Sequence, residues 1–527
     1  MSISNLSQNA EITQSGQALR INLSAYNSLA RLFEGSFGSK GTSKMLINQN
    51  SIKILKDGRS LIDNIYFIHP IVNLINKSAK QSHDLLGDGV TTFILFGNIL
   101  FNEALKNLQS AVKVNEQVMT DLYKMKEFLE QEKIQFNFDQ EMDKIKRNLH
   151  IKKGLSINSS CLLNVIFHSL NTKMDESLAK FFSKIVISSF NSTRNMTEIL
   201  SMDGDIYESN VVDGLVMDHS GRHPSMPRLI EDCYIIISNM VLEYEKTEIN
   251  SQLMYKNVEE RNQMISSERV LLNKKIDRIL QLKEQAAKQG KKLVFFTERG
   301  IDLPSLDRLS SMLCLRRVKR KNLERLIRLC GGKIVTSIDD LVLSNCGYVG
   351  KISVVEEKDQ SYTFLTKTPY KGSKTVLLHG YNQYEKERIK ISLQASYKIL
   401  ENLQQQPFVI KGGPSLYFNL SKKLENLNQR RTPVSETLFK MGEKLEQQNL
   451  IIKEPIEDDE KDLGFSSSES NESYFEQPSG QSTGLIYDSF VTIDKTLFNS
   501  GAVTSTLLLV DEIIKAGKSV KEEPDQQ

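Results

Sequence analysis

From Ala18 to about Ile134, apolar positions recur mainly with helical spacing. Ala30, Leu32 and Phe33 close a first amphipathic run, which breaks at Gly35-Ser36-Phe37-Gly38. Met45-Leu46-Ile47 and Ser51-Ile52-Lys53-Ile54-Leu55 alternate as two short strands, with Lys56-Asp57-Gly58 at the turn after the second. Ile71, Val72, Leu74 and Ile75 mark another helix, and a long apolar helix is expected from Phe93. A smaller mixed region runs from about Asn148 to Val212. From about Asp213 to Thr366 strands alternate with helices. Cys233–Ile237 and Lys292–Phe296 read as buried strands. Between them Ile265, Leu272, Ile276, Ile279 and Leu280 predict a long amphipathic helix ended by Gly290. Leu323, Leu326 and Ile327 predict a helix stopping at Gly331-Gly332, and strand Thr375–His379 leads to a helix over Tyr384–Leu403. The pattern then fails over 454–480, which is acidic (Glu457-Asp458-Asp459-Glu460) and then Ser-rich (Ser466-Ser467-Ser468). It reads as a solvated, disordered insertion. A last helix is expected from about Leu507 to Ala516.

A chain of 527 residues has room for three or four domains. It carries 39% apolar and 25% charged residues, an ordinary globular mixture. No run nears the roughly 18 apolar residues of a membrane span, and Met1 to Gly16 lacks a signal-peptide core. Basic and acidic side chains, 68 against 65, leave a net charge of +3, which gives no support for nucleic-acid affinity. The cysteines (Cys161, Cys233, Cys314, Cys330 and Cys346) are scattered without a CxxC, so a reducing, cytoplasmic setting is expected. His219 and His223 are four apart, but the intervening Gly221 argues against a helical metal pair.

The candidate chemistry lies at Gly87-Asp88-Gly89-Val90-Thr91-Thr92, just before the long apolar helix. Glycines let backbone approach a polyphosphate, amides at a helix start face an anion, and an aspartate can hold magnesium. Taken locally, the same residues also read as a turn that merely caps the helix. They do not form a Walker A motif, because the GxxxxGK[ST] lysine is missing.

The hexad resembles the Gly-Asp-Gly-Thr-Thr motif of the group II chaperonins, the family of the TCP-1 ring complex. Other signatures follow in order. Phe37-Gly38-Ser39-Lys40-Gly41 resembles Leu-Gly-Pro-Lys-Gly, and Lys56-Asp57-Gly58 matches Lys-Asp-Gly. Thr297–Asp302 resembles an apical segment, Gly412-Gly413 a glycine cluster, Tyr487-Asp488 a Trp-Asp pair, and Val510–Ile514 the last helix. Leu242–Ser251 and Arg316–Leu326 look like the family's zeta class. The resemblance implies an α+β multidomain fold with a helical equatorial domain, a small intermediate hinge and an α/β apical domain with a helical protrusion. The boundaries expected are 1–147 and 404–527 equatorial, 148–212 and 367–403 intermediate, and 213–366 apical.

It further implies ATP or ADP with Mg2+, bound by Gly38, Gly87, Asp88, Gly89, Val90, Thr91, Thr92, Gly412, Gly413 and Asp488, with Asp88 on the metal and Asp57 near the attacking water. Seven other subunits in a hetero-oligomeric double ring and unfolded clients are the implied partners; no nucleic acid or membrane is expected. Alanine stands at 395, where the family has the aspartate that activates water, so ATP binding with weak hydrolysis is expected. A non-hydrolysing structural or regulatory ring subunit and a stand-alone binding protein are the alternatives. The basic run Arg316, Arg317, Lys319, Arg320, Lys321, Arg325 and Arg328 reads as a solvated helix face or, by the resemblance, a border of the client groove.

Overall fold

The computed structural model describes residues 11–13, 16–48, 51–106, 110–150, 160–191, 196–243, 257–357, 360–450 and 486–515. Segment 454–480 lies outside the described residues. Two compact units divide the chain: Met1–Ile187 with Glu387–Gln527, and Ser188–Lys386.

The first part of the chain is mostly helical. Strand β1 (Glu11–Thr13) precedes α1 (Gln17–Glu34), whose buried stripe includes Tyr26, Leu29, Ala30 and Phe33. Strands β2 (Lys44–Asn48) and β3 (Ser51–Leu55) pair antiparallel, with Met45 opposite Ile54 and Ile47 opposite Ile52. Then follow α2 (Gly58–Asn64), α3 (Pro70–Leu86), α4 (Val90–Lys106), α5 (Ala111–Glu132), β4 (Ile134–Gln135), α6 (Phe138–His150), α7 (Cys161–Asn171) and α8 (Glu176–Ser189). Pro70 opens α3, where its missing N–H costs nothing. Helix α4 is apolar on nearly every side, which suits a central helix. Phe93, Ile94, Phe96, Leu100 and Phe101 are all buried.

The second unit contains β5 (Thr197–Met202), β6 (Asn210–Asp213), β7 (Leu215–Met217), β8 (Leu229–Ser238), α9 (Val258–Lys288), β9 (Lys292–Thr297), α10 (Leu303–Leu309), β10 (Cys314–Leu315), α11 (Arg320–Cys330), β11 (Ile334–Val335), β12 (Gly347–Glu357), β13 (Gln360–Thr366) and β14 (Lys374–His379). Its main sheet runs β10-β9-β8-β12-β13-β7, with β11 also on β8. The β8, β9, β10 and β11 pairings are parallel, and those of β12, β13 and β7 are antiparallel. The C-terminal half of α9 buries Leu272, Ile276, Ile279 and Leu282, and the last three share one core with Leu323, Leu326 and Leu329 of α11. A separate sheet is ordered β5-β14-β6. Cys233, Cys314 and Cys330 are buried, and burial pushes the Cys330 thiol up to about 12.

The chain then forms α12 (Gln383–Gln405), β15 (Phe408–Lys411), α13 (Pro414–Asn428), α14 (Pro433–Leu450), β16 (Tyr487–Ser489), α15 (Phe490–Leu508) and β17 (Ile513–Lys515). Helices α4, α5, α13, α14 and α15 share one core; α1, α3 and α4 share a second. The last helix differs from expectation. It is α15, ending at Leu508, and residues 513–515 are instead a strand antiparallel to β1. Pairing with the opposite end of the chain draws Ile513 and Ile514 into extended backbone, although their spacing also suits a helix.

Candidate functional site

A cavity of about 250 Å³ in the first unit collects most of the expected residues. One wall is the turn between α3 and α4. Helix α3 ends at Gly87, whose φ of +84° is left-handed and whose N–H donates to His83 O at 2.7 Å. A Cβ there would fall 2.5 Å from Ala395 O, so α12 packs directly on this turn. Gly89 follows at φ +96°, and a Cβ there would fall 2.6 Å from Thr496 Oγ1 of α15. The first backbone bond of α4 is Phe93 N–H to Gly89 O, at 2.8 Å. The N–H groups of Val90, Thr91 and Thr92 therefore have no partner one turn back in the helix. Val90 packs its side chain into the core, so it can offer the cleft only backbone.

Asp88 is held from two directions. Gly89 N–H donates to its Oδ1 at 2.9 Å, and the Ser169 hydroxyl donates to its Oδ2 at 2.6 Å. Lys173 Nζ lies 3.2 Å from Oδ2, in a side chain only 3% exposed, and also donates to Ser169 Oγ at 3.3 Å. Burial alone would raise the Asp88 carboxyl. Lys173, Ser169 and the Gly89 amide outweigh it and keep the group below the usual carboxylate range. Asp488 shows the opposite balance. Burial first, and the Asp88 charge second, push it up to about 6. Strand β16 places it opposite Ile410 of β15, and a Cβ on Gly412 would collide with its carboxyl.

Asp57 lines the same cavity as the N-cap of α2, where its Oδ2 accepts from Ser60 N–H and the Ser60 hydroxyl, both at 3.1 Å. Gly58 lies against Thr91 and Val90, which seats that cap beside the α4 turn. Gly38, Thr91, Thr92 and Gly413 also line the cavity; Gly87, Gly412 and Ala395 are not among its lining residues, Gly87 lying against Ala395 O and Gly412 against the Asp488 carboxyl. Helix α7 and the residues after it supply Val165, His168, Ser169, Thr172 and Lys173, a single face at helical spacing. Burial keeps His168 neutral, with its pKa lowered to about 4. Neither Ser169 nor Lys173 is marked by a local motif. Their spacing of four is a weak signal that gains meaning only when α7 meets Asp88.

The basic run lies in the second unit. Arg316 donates to Ile301 O at 3.0 Å, Arg317 faces Glu243 at 4.0 Å, Lys319 pairs with Asp218 at 2.7 Å and Arg320 with Glu324 at 3.6 Å. Arg325 corrects the reading of the run as one solvated face. It is 2% exposed, pairs with Glu198, and donates to Ser373 Oγ and Lys374 O, each at 3.0 Å. It falls on the inner side of α11 with Leu326 and Leu329. A wider hollow of about 380 Å³ borders α9 and α10, and several of its polar groups bond one another. Arg308 bonds Asn273, and Asp302 accepts from Ser305 N–H.

The residues of the α4 turn fit a magnesium–polyphosphate pair. Among the described residues no group of three His, Cys, Asp or Glu side chains gathers to cage a metal. One ionised carboxylate beside the first amides of a helix instead matches magnesium's habit of sharing a carboxylate with phosphate oxygens. No helix among the described residues is long and apolar enough to cross a membrane.

The sequence matches the model of the TCP-1/cpn60 chaperonin family over residues 29–518. It is 29% identical over 539 aligned positions to the human T-complex protein 1 subunit zeta-2, covering 97% of this chain and 98% of that protein. With its helical core, its separate sheet-bearing unit and a match over nearly its whole length, the chain belongs to the TCP-1/cpn60 chaperonin family.

Proposed function

We propose that this chain is a zeta-like subunit of a hetero-oligomeric chaperonin ring in the cytoplasm, that it binds ATP with Mg2+, and that its own hydrolysis is weak. Family membership carries the role in protein folding. The observation that supports nucleotide binding is the ionised Asp88 set in one cleft beside the first amides of α4, those of Val90, Thr91 and Thr92, which precede the first intrahelical bond at Phe93. Asp88 would hold the metal, with the amides and the Thr91 and Thr92 hydroxyls on the phosphates. Gly38 and Gly413 would border the nucleotide, and Asp488 its sugar or base. Once bound, magnesium would neutralise charge on the phosphate oxygens.

Lys173 and Ser169 hold Asp88 in place from α7, and Lys173 offsets its charge. Asp57 sits near enough to take part, but its Oδ2 already caps α2. Ala395 ends in a methyl group, which neither accepts a proton nor holds a water, and loss of a positioned base costs about 10²- to 10⁴-fold in rate. The termini form the equatorial body in this reading, residues 213–366 meet clients, and 148–212 with 367–403 form the hinge. Arg316, Arg317, Lys319 and Arg320 are the client-facing candidates. Seven other kinds of sister subunit would complete the hetero-oligomeric double ring.

The test is single-turnover ATP hydrolysis by the purified chain and its Ala395→Asp variant. The expected result is nucleotide binding in both and turnover raised at least a hundredfold by aspartate. Turnover by the unaltered chain at the rate of its ring neighbours would overturn the reading.

A further inference from the structure

Three hydroxyls stand at the start of α15, on Ser489, Thr492 and Thr496. Ser489 stands at the N-cap position of the helix, where serine ordinarily accepts an amide bond, yet its side chain makes none. Thr492 and Thr496 follow three and seven residues on, so all three share one face. Ser489 Oγ, Thr492 Oγ1 and Thr496 Oγ1 are buried without a hydrogen-bond partner among the described residues. Their side chains belong to residues 4%, 9% and 1% exposed. Hydroxyls farther along the same helix behave differently: Ser500 donates to Phe93 O, Thr504 to Ser500 O and Thr506 to Ala502 O. A helical threonine usually spends its hydroxyl in that way. A buried hydroxyl left unpaired is costly, so three on one face call for a partner.

The cleft supplies the place for one. Ser489 and Thr492 line it, and Thr496 stands against Gly89 of the α4 turn. At 1.5 Å per residue, Thr492 lies about 6 Å and Ser489 about 10 Å along the helix from Thr496. That span matches the reach from the terminal phosphates of a nucleotide to its sugar. The apolar lining residues Tyr417, Leu445, Ile486 and Ile493 suit the flat faces of a base and leave the hydroxyls for polyhydroxyl chemistry.

We propose that Ser489 and Thr492 bind the ribose hydroxyls of the nucleotide, so that the site selects ribonucleotides over their deoxy counterparts. This rests on the nucleotide reading above. Thr496 stands at the phosphate end of the same face. Each sugar contact is worth about three- to tenfold in affinity. Asp488, next to Ser489 in β16, completes the polar surface at the sugar end.

The test is calorimetric titration of the purified full-length chain with Mg2+ and either ADP or 2′,3′-dideoxy-ADP, using the unaltered protein and a Ser489→Ala/Thr492→Val variant. The unaltered protein should bind ADP at least tenfold more tightly than the dideoxy form. The variant should lose that same factor, at least tenfold, for ADP, keep its affinity for the dideoxy form, and show no preference between them. Equal binding of both nucleotides by the unaltered protein would overturn the proposal, with water left as the partner of these hydroxyls. Equal weakening of both by the variant would also overturn it, since that is the mark of a purely structural role. If the unaltered protein binds neither nucleotide, the nucleotide reading itself fails, a result distinct from the other two.

Discussion

Replacing Gly89 with alanine tests how the α4 turn is held open. The added Cβ meets two separate penalties. At φ +96° an L-residue sits in the left-handed half of backbone space, at a cost of about 1–2 kcal/mol. The methyl also falls 2.6 Å from Thr496 Oγ1 and 3.2 Å from its Cγ2. Thr496 is β-branched, buried and mid-helix, so it cannot swing aside, and such overpacking costs about 1–3 kcal/mol. The sum is about 2–5 kcal/mol, expressed where α4 begins. Native-state hydrogen exchange reads local opening directly. At about 1.4 kcal/mol per tenfold, the Phe93 amide should exchange roughly thirty- to several-thousandfold faster in the variant. Adding Thr496→Ala should recover the steric share and leave the backbone share. Exchange within threefold of the unaltered protein would refute the reasoning, as would a double variant no better than the single one.

Three further outcomes follow from other parts of the structure. Arg325→Met leaves Glu198 facing a buried site without its cation and should destabilise the second unit by about 3–5 kcal/mol; adding Glu198→Gln should recover part of the loss in denaturant titrations. Burial would raise the Glu103 carboxyl, but Lys106 at 2.8 Å and Lys440 at 2.6 Å outweigh it and lower its pKa. Its stabilisation is therefore present above the unfolded value of about 4.5 and is lost as pH falls through the lower folded value, so Glu103→Gln should flatten the acid limb of a stability–pH curve. Lys173→Met removes the cation beside Asp88, and a pH titration followed by NMR should show the Asp88 carboxyl moving upward. An unmoved value would mean that Ser169 and the Gly89 amide suffice.

Much of the fold is legible where period and punctuation agree. Cys233–Ile237 falls inside β8, Lys292–Phe296 inside β9 and Thr375–His379 inside β14, because unbroken apolar runs of that length suit buried strands. Gly290 ends the α9 region, and Gly87 ends α3, where their positive φ is needed. The α4 turn is legible because its chemistry is contiguous. What is not legible depends on distant partners. The β1–β17 pairing joins the two ends of the chain, so no local pattern marks it. Helix α15 is buried on most of its surface and gives little periodicity, which leaves the amphipathic stretch after it as the false signal. Arg325 reads as one more surface cation until β5 and β14 supply Glu198 and Lys374 O. Ser169 and Lys173 are ordinary residues of α7 and its end until the fold carries them to Asp88.

The central claim is that the turn from Gly87 to Thr92 grips a magnesium–nucleotide pair through Asp88. The most direct measurement is equilibrium binding of ADP to the full-length chain with and without Mg2+, for the unaltered protein and for Asp88→Asn. Tight, magnesium-dependent binding that loses its dependence on the metal in the variant is the predicted result. Absence of binding, or a variant that responds to magnesium as the unaltered protein does, would contradict it.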